Sequence, residues 1–270
     1  MKEETLSYED FKSDLSSKYI GRNVYYFDSI DSTNTKAKKL ASKCVPEGTI
    51  IISEEQTAGR GRLGRSWISP KHKGLLMSII LRPHIDPINA VKITQLMAAA
   101  IHKSIKELGI KSLIKWPNDI VLNNKKVCGI LTEMNAELNR ISYVVIGIGI
   151  NVNLDEDEIP NDIRSIATSL KIESKDAIDR KRLLCSILDN FEILYDEFLD
   201  DCNMETALNI CRENSAILGK EIQVMKKDSC LCAKAIDITN DGRLLVEYMD
   251  GSKEYLISEE VSVRGLMGYV

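Results

Sequence analysis

The nine residues Gly59-Arg60-Gly61-Arg62-Leu63-Gly64-Arg65-Ser66-Trp67 restrict the fold more than any other stretch of the chain. Three glycines let a backbone close tightly around a ligand. Three arginines supply planar forks that hold carboxylate or phosphate oxygens in pairs. Gly59, Gly61 and Gly64 satisfy G-x-G-x-x-G, and Gly59 to Ser66 nearly satisfies the P-loop pattern, with Arg65 where that pattern has lysine. Both patterns need a strand before and a helix after. Thr49-Ile50-Ile51-Ile52-Ser53 supplies the strand, but Trp67-Ile68-Ser69-Pro70 follows, and the proline denies the helix. The kinase signatures V-A-I-K, H-R-D and D-F-G are absent. What remains is a loop suited to a step in which a carboxylate meets a nucleotide triphosphate.

A net charge of −4 makes this arginine cluster a placed feature rather than part of a generally basic surface. With 44% hydrophobic and 28% charged residues, the chain has the make-up of an ordinary globular protein, one large domain or a main domain with a small one. No apolar run reaches the roughly 18–20 residues of a membrane span, and the acidic start Met1-Lys2-Glu3-Glu4 has no signal-peptide core. The expectation is a cytoplasmic protein whose seven cysteines are reduced thiols. Cys230 and Cys232 should share one strand face among core residues, and His72, His84 and His102 lack ligand spacing, so no structural zinc site is expected.

Periodicity predicts strands at 23–28, 49–54, 75–82, 113–116, 119–122, 127–134 and 142–150, with Asn123-Asn124 as a tight hairpin turn. Helices are expected from Asp31-Ser32-Thr33-Asn34 through Ala37 and Leu40, from Asp86-Pro87 to Gly109, over 179–200 and over 204–213. From about Leu218 short strands alternate with turns, at 221–226, 230–238, 243–249 and 253–257. The chain therefore reads as α+β, residues 1–217 forming a mixed sheet with flanking helices and residues 218–270 a small β-barrel or sandwich.

Four further segments place polar groups where a core is expected. Asp28 to Asn34 offers hydroxyls and amides at a helix start, which serve a cap or a neutral polar ligand. Lys115-Trp116-Pro117-Asn118-Asp119 gathers a lysine, an amide and a carboxylate at one bend, which is also an ordinary turn composition. Lys126 leads into the apolar strand Val127-Cys128-Gly129-Ile130-Leu131, where its amine can point along a cleft toward phosphate. Gly147 and Gly149 lie inside an apolar strand, read equally well as a bulge or as a place where a ligand lies flat.

Taken in order, Asp31-Ser32-Thr33-Asn34, Gln56-Thr57-Ala58-Gly59-Arg60-Gly61-Arg62, Lys115 to Asp119, Lys126-Val127-Cys128-Gly129-Ile130, Gly147 to Asn151, and Ala167-Thr168-Ser169-Leu170 resemble the biotin–protein ligases, and Glu260 to Arg264 resembles the end of that family's small β domain. The resemblance implies a class II aminoacyl-tRNA-synthetase/biotin ligase-like catalytic domain and an SH3-like C-terminal barrel. It implies that biotin and Mg·ATP give biotinyl-5′-AMP and pyrophosphate, and that a lysine of a biotin carboxyl carrier protein then takes the biotin. It assigns biotin binding to Ser32, Thr33, Asn34, Gln56, Gly59, Arg60, Gly61, Arg62, Lys126, Gly129, Gly147 and Gly149. It assigns the nucleotide to Arg62, Arg65, Trp67, Asn118, Lys126, Asn151 and Arg264, and the chemistry to Arg60, Arg62, Lys126 and Asp119, with Asp119 orienting or deprotonating the carrier lysine. Magnesium ligands are not assigned. The arginine loop is expected to order when biotin binds. Some family members carry an N-terminal helix-turn-helix domain; about twenty residues precede the first predicted strand here, so a ligase without DNA binding is expected, as a monomer or a homodimer. The competing readings are a lipoate– or octanoate–protein ligase, which the arginine–glycine loop disfavours, a biotin sensor, which has no need to neutralise a triphosphate, and a nucleic-acid binder, which the overall acidity disfavours.

Overall fold

The structure is a computed structural model, and it describes residues 5–137, 140–200, 202–226, 229–258, 261–266 and 268–270. Its main element is a seven-stranded sheet in the order β1-β2-β3-β7-β6-β5-β4. These strands are β1 (Val24–Phe27), β2 (Ile50–Ser53), β3 (Gly74–Leu81), β4 (Leu113–Lys115), β5 (Asp119–Leu122), β6 (Lys125–Glu137) and β7 (Arg140–Asn151). β1 and β2 run parallel and every other neighbouring pair is antiparallel, so the sheet is mixed. The β5–β6 hairpin turns on Asn123 and Asn124, with φ of 46° and 64°, the left-handed pair that a two-residue hairpin requires.

Helices cover both faces, which explains why β2 and β3 are continuous apolar runs rather than alternating ones. On one face α2 (Thr33–Ala41) buries Ala37 and Ala41 against Ile51, Ile80 and Val145. On the other, α3 (Ile93–Glu107) and α5 (Arg180–Leu199) pack against Ile50, Ile52, Ile79, Leu81 and Ile146. The short helices α1 (Tyr8–Phe11), α4 (Leu170–Ser174) and α6 (Glu205–Glu213) complete the set. The helix expected to open at Asp86-Pro87 begins instead as a 3₁₀ segment, Pro87–Lys92, and becomes α-helical at Ile93; tighter winding is common at helix N-termini. Arg180, at the start of α5, is buried with Glu54 after β2, their charged atoms 2.6 Å apart.

A second, antiparallel sheet follows, in the order β11-β10-β9-β8-β12. It consists of β8 (Glu221–Met225), β9 (Cys230–Ile238), β10 (Leu244–Tyr248), β11 (Lys253–Leu256) and β12 (Ser262–Gly265). Among the described residues it is open, not the closed barrel expected. Closure would need β11 and β12 to pair; after β12 the chain instead turns back through a Gly265–Gly268 bridge. Its inner residues Ile222, Val224, Ala235 and Val246 join the same apolar core as the large sheet. Trp116 Nε1 and Gln95 Nε2 both donate to the Gly242 carbonyl, at 3.0 and 2.6 Å, tying the two sheets together. Cys230 and Cys232 share a strand face as expected, but that face is exposed rather than core, because the alternate residues Ala233 and Ala235 point inward. All seven cysteines are free. Among the described residues no helix is long and apolar enough to cross a membrane. Glu260, quoted above for the resemblance, lies outside the described residues, as does the acidic start Met1 to Glu4.

Candidate functional site

One pocket lies where α2, the arginine loop, β5, β6, β7 and β12 converge. Its floor is neutral and polar. Ser32 caps α2, its hydroxyl 3.5 Å from the Thr35 amide, and Gln56 Oε1 accepts from the Thr33 amide and hydroxyl at 2.8 and 3.1 Å. Asn34 is held from both sides: Ser78 donates to its Oδ1 at 2.6 Å, and its Nδ2 donates to Glu133 at 2.8 Å. A Cβ on Gly147 would sit 2.1 Å from Asn34 Oδ1, so this glycine makes the room that Asn34 fills. Burial of Ser32, Thr33 and Asn34 is affordable because neighbours satisfy them, and uncharged groups held this rigidly suit an uncharged polar ring.

The arginine loop forms the pocket's lip. Gly61 N donates to the Arg65 carbonyl at 2.7 Å and Trp67 N to the Gly59 carbonyl at 3.0 Å, so the loop closes as a small hairpin. Leu63 and Gly64 both take positive φ, 55° and 72°, at its tip. The hairpin lays the Trp67 indole across β6 and β7 at the point where Gly129 and Gly149 are cross-strand partners. Cβ atoms there would lie 3.1 and 2.5 Å from the ring. The two glycines thus form a shelf on which the Trp67 side chain lies flat.

The remaining wall is cationic. Arg60, Arg62, Arg65, Lys115, Lys126 and Arg264 line the pocket, and Asp119 is its only carboxylate among the described lining residues. Lys126 Nζ is 2.6 Å from Asp119 Oδ1 and 5.6 Å from the Trp67 ring centre. Arg62 donates to Asn118 Oδ1 at 2.9 Å and to the Val261 carbonyl at 3.1 Å, and it also bonds the Ser258 carbonyl, so it joins the loop to the segment around β12. Burial pushes the Lys115 amine down to about 8, with Lys126, Arg264 and Arg65 adding repulsion and Asp119 opposing it. Its Nζ faces the Tyr269 ring, 3.5 Å from the centroid, and the Tyr269 hydroxyl donates to Asp119 Oδ2. Burial, followed by the Asp119 charge, raises the Tyr269 phenol far above its ordinary range, so it is a neutral donor. Three buried polar atoms in the lining have no hydrogen-bond partner within the described chain: Asp119 Oδ1, which meets Lys126 as an ion pair, Trp67 Nε1, a donor, and Asn151 Oδ1, an acceptor whose own Nδ2 is fixed by the Thr168 carbonyl at 3.0 Å. Unpartnered atoms of this kind mark where a ligand completes the hydrogen bonding.

Of the residues assigned from sequence, the structure brings Ser32, Thr33, Asn34, Gln56, Arg60, Gly61, Arg62, Arg65, Trp67, Asn118, Asp119, Lys126, Gly129, Gly147, Gly149, Asn151 and Arg264 to this one lining. Gly59 is not in it; a Cβ there would meet the Trp67 carbonyl at 2.4 Å, so Gly59 serves the loop's closure. Sequence reasoning missed Tyr269, which carries no motif, and left Lys115 unassigned although it belongs to the Lys115–Asp119 segment. It also missed the apolar side wall of Ile163, Ile166 and Ala167. No group of three or more histidine, cysteine, aspartate or glutamate side chains among the described residues has metal-holding geometry.

Residues 26–151, which contain most of this site, match the family model described as the biotin/lipoate A/B protein ligase family. The bifunctional ligase/repressor BirA of Bacillus spizizenii is 39% identical over 251 residues, covering 92% of this chain and 77% of that protein. The biotin–[acetyl-CoA-carboxylase] ligase of Mycobacterium tuberculosis is 30% identical over 215 residues, covering 77% of each. Among solved structures, the biotin protein ligase of Aquifex aeolicus in complex with biotin and ATP superposes with a TM-score of 0.77 at 27% identity, covering 90% of this chain and 99% of that one. With the neutral floor, the glycine shelf and the cationic wall assembled in one pocket, this chain belongs to the biotin–protein ligase family.

Proposed function

We propose that this chain activates biotin with ATP and transfers it to a lysine of a biotin carboxyl carrier protein. The observation that carries the reading is one pocket with a neutral polar floor beside a wall of six cations, the pairing that an uncharged ureido ring with a carboxylate tail and a triphosphate would require. In the first step a biotin carboxylate oxygen attacks the α-phosphorus of ATP, the bond from that phosphorus to the bridging oxygen breaks, and pyrophosphate leaves. Both reactants are anions, so donors fixed at the reacting centre are the main requirement. Arg60, Arg62 and Lys126 are assigned that role, with Arg65 and Arg264 toward the phosphates. Ser32, Thr33, Asn34 and Gln56 hold the biotin ring, and Asn151 Oδ1 accepts from the adenine amino group. In the second step a neutral lysine amine attacks the biotinyl carbonyl and AMP leaves, with Asp119 orienting the amine.

Asp119 is engaged by Lys126 and Tyr269 and has no second carboxylate beside it among the described lining residues, so that donor set does not by itself make a magnesium site. The ion would enter coordinated to the triphosphate. Residues 1–217 are assigned the chemistry, and residues 218–270 contribute Arg264 and Tyr269 to its rim.

Biotin-dependent exchange of labelled pyrophosphate into ATP tests the first step, with lipoate and octanoate as competing acids. Exchange supported by biotin alone is expected. Exchange supported by lipoate or octanoate instead moves the chain to the sister ligases, and binding of biotin without exchange leaves a sensor.

A further inference from the structure

We propose that Tyr269 is a gate on the acceptor side of the pocket, holding the place that the carrier lysine takes in the transfer step. The inference rests on the ligase reading and extends it to the segment after β12. Asp119 is buried, and both of its oxygens are engaged: Lys126 takes Oδ1 and the Tyr269 hydroxyl takes Oδ2. An incoming lysine amine that approaches Oδ2 competes with the Tyr269 hydroxyl for it. Lys126 faces the reacting centre beside Trp67, whereas Tyr269 arrives on the segment after β12 and is the replaceable partner. The slot suits an exchange of one for the other. A phenol and an amine each present one donor to the carboxylate, and the Tyr269 ring covers the Lys115 amine at 3.5 Å, shielding the two lysines' end of the site from solvent.

The segment that carries the gate returns on two glycines. Gly265 and Gly268 form a bridge after β12, and a Cβ on Gly265 would lie 2.2 Å from the Val270 carbonyl carbon, so the segment seats itself on a glycine surface. Gly265 lies outside the left-handed region, so alanine is allowed there by the backbone, and its methyl would push the segment off. That substitution dislodges Tyr269 without touching Tyr269, Asp119 or Lys115. The adjacent Arg264 belongs to the same strand, so a nucleotide engaging Arg264 acts on the segment that carries the gate.

The test separates the two half-reactions. Biotinyl-AMP is formed on the whole enzyme from biotin and ATP with pyrophosphatase present, then mixed rapidly with a biotin carboxyl carrier domain or, in a parallel arm, with hydroxylamine as a small nucleophile. The variants are Tyr269→Ala, Tyr269→Phe and Gly265→Ala. Gly265→Ala is expected to leave pyrophosphate exchange within about twofold while raising the rates of transfer and of hydroxylamine capture by about tenfold, the weight of one hydrogen bond to a charged group, and Tyr269→Ala to raise the ratio of transfer to exchange by a similar factor. Tyr269→Phe, which keeps the ring and loses the hydroxyl, should fall between them and the native enzyme. Transfer unchanged in all three variants overturns the gate, as does a parallel fall of exchange and transfer, which makes Tyr269 part of the site's construction. Absence of exchange in the native protein would instead sink the ligase reading itself.

Discussion

Replacing Gly149 with alanine adds one methyl to the shelf beneath Trp67. The added carbon would lie 2.5 Å from Cε2 and 2.7 Å from Nε1 of the indole. Ordinary carbon contacts lie at about 3.5–4.0 Å, so the ring has to rise by about 1 Å. The strand cannot yield in its place, because Gly149 is paired with Leu76 on one side and Gly129 on the other, at the centre of the sheet. Trp67 is restrained as well, its amide bonded to the Gly59 carbonyl. Overpacking of this kind costs about 1–3 kcal/mol. If that strain falls on the position of Trp67, kcat/KM for ATP in biotin-dependent exchange drops roughly fivefold to a hundredfold. Circular dichroism should report a folded chain with a modestly lowered Tm. The decisive comparison is a double-mutant cycle. In a Trp67→Ala background the methyl has nothing to strike, so Gly149→Ala should add almost nothing to the loss already present. Additive losses, or a native rate in the single variant, would refute the shelf.

Arg62→Ala removes the bonds to Asn118 and Val261 that close the loop against the segment around β12; biotinyl-AMP should escape about tenfold faster or more, seen as labelling of lysines on a bystander protein, and unchanged retention would count against the assignment. Lys115 has a folded pKa near 8 against 10.5 for the free side chain, so the unfolded chain holds more protons between those values and stability attributable to Lys115 rises with pH across that window. Denaturant unfolding at pH 7.5 and 9.5 should therefore show Lys115→Met closing its stability difference from the native protein in favour of the native lysine as pH rises, and a pH-independent difference would refute the shift. Arg180→Ala leaves Glu54 buried without its 2.6 Å partner and should destabilise the chain by about 3–5 kcal/mol in equilibrium unfolding, with exchange by the folded fraction preserved.

The parts of the site that were legible in the sequence are those whose residue types are costly anywhere else. Three arginines among three glycines, or Lys115 beside Asn118 and Asp119, announce themselves because a core would not choose them. The helices and strands were legible for the same local reason, their apolar periods surviving in the buried faces of α2 and α5. What was hidden depends on contacts between distant segments. Nothing near Gly147 or Gly149 tells that Asn34 and Trp67 fill the space above them. The outward face of Cys230 and Cys232 follows from which side of β9 packs on the core, and alternation alone fits both choices. Tyr269 is an unremarkable aromatic until the Gly265–Gly268 bridge brings it to Asp119.

The floor and the wall place opposite demands on one cavity. A neutral ring is recognised by hydrogen bonds that must be dry and rigid, whereas a triphosphate needs charges that repel one another until it arrives. Trp67 lies where the two demands meet. Its indole rests over the glycine shelf, two residues along β7 from the Gly147 position that Asn34 fills, and 5.6 Å from Lys126 Nζ. Arg62 bonds the Asn118 amide and backbone carbonyls, and Lys115 faces the Tyr269 ring. Lys126 meets Asp119, which divides itself between that lysine and Tyr269. Six cations thus face one carboxylate among the described lining residues, and the Lys126–Asp119 pair sits where the proposed second nucleophile would enter. On the proposed reading, activation draws on the cations of this wall, and transfer begins by loosening the contact between Tyr269 and Asp119.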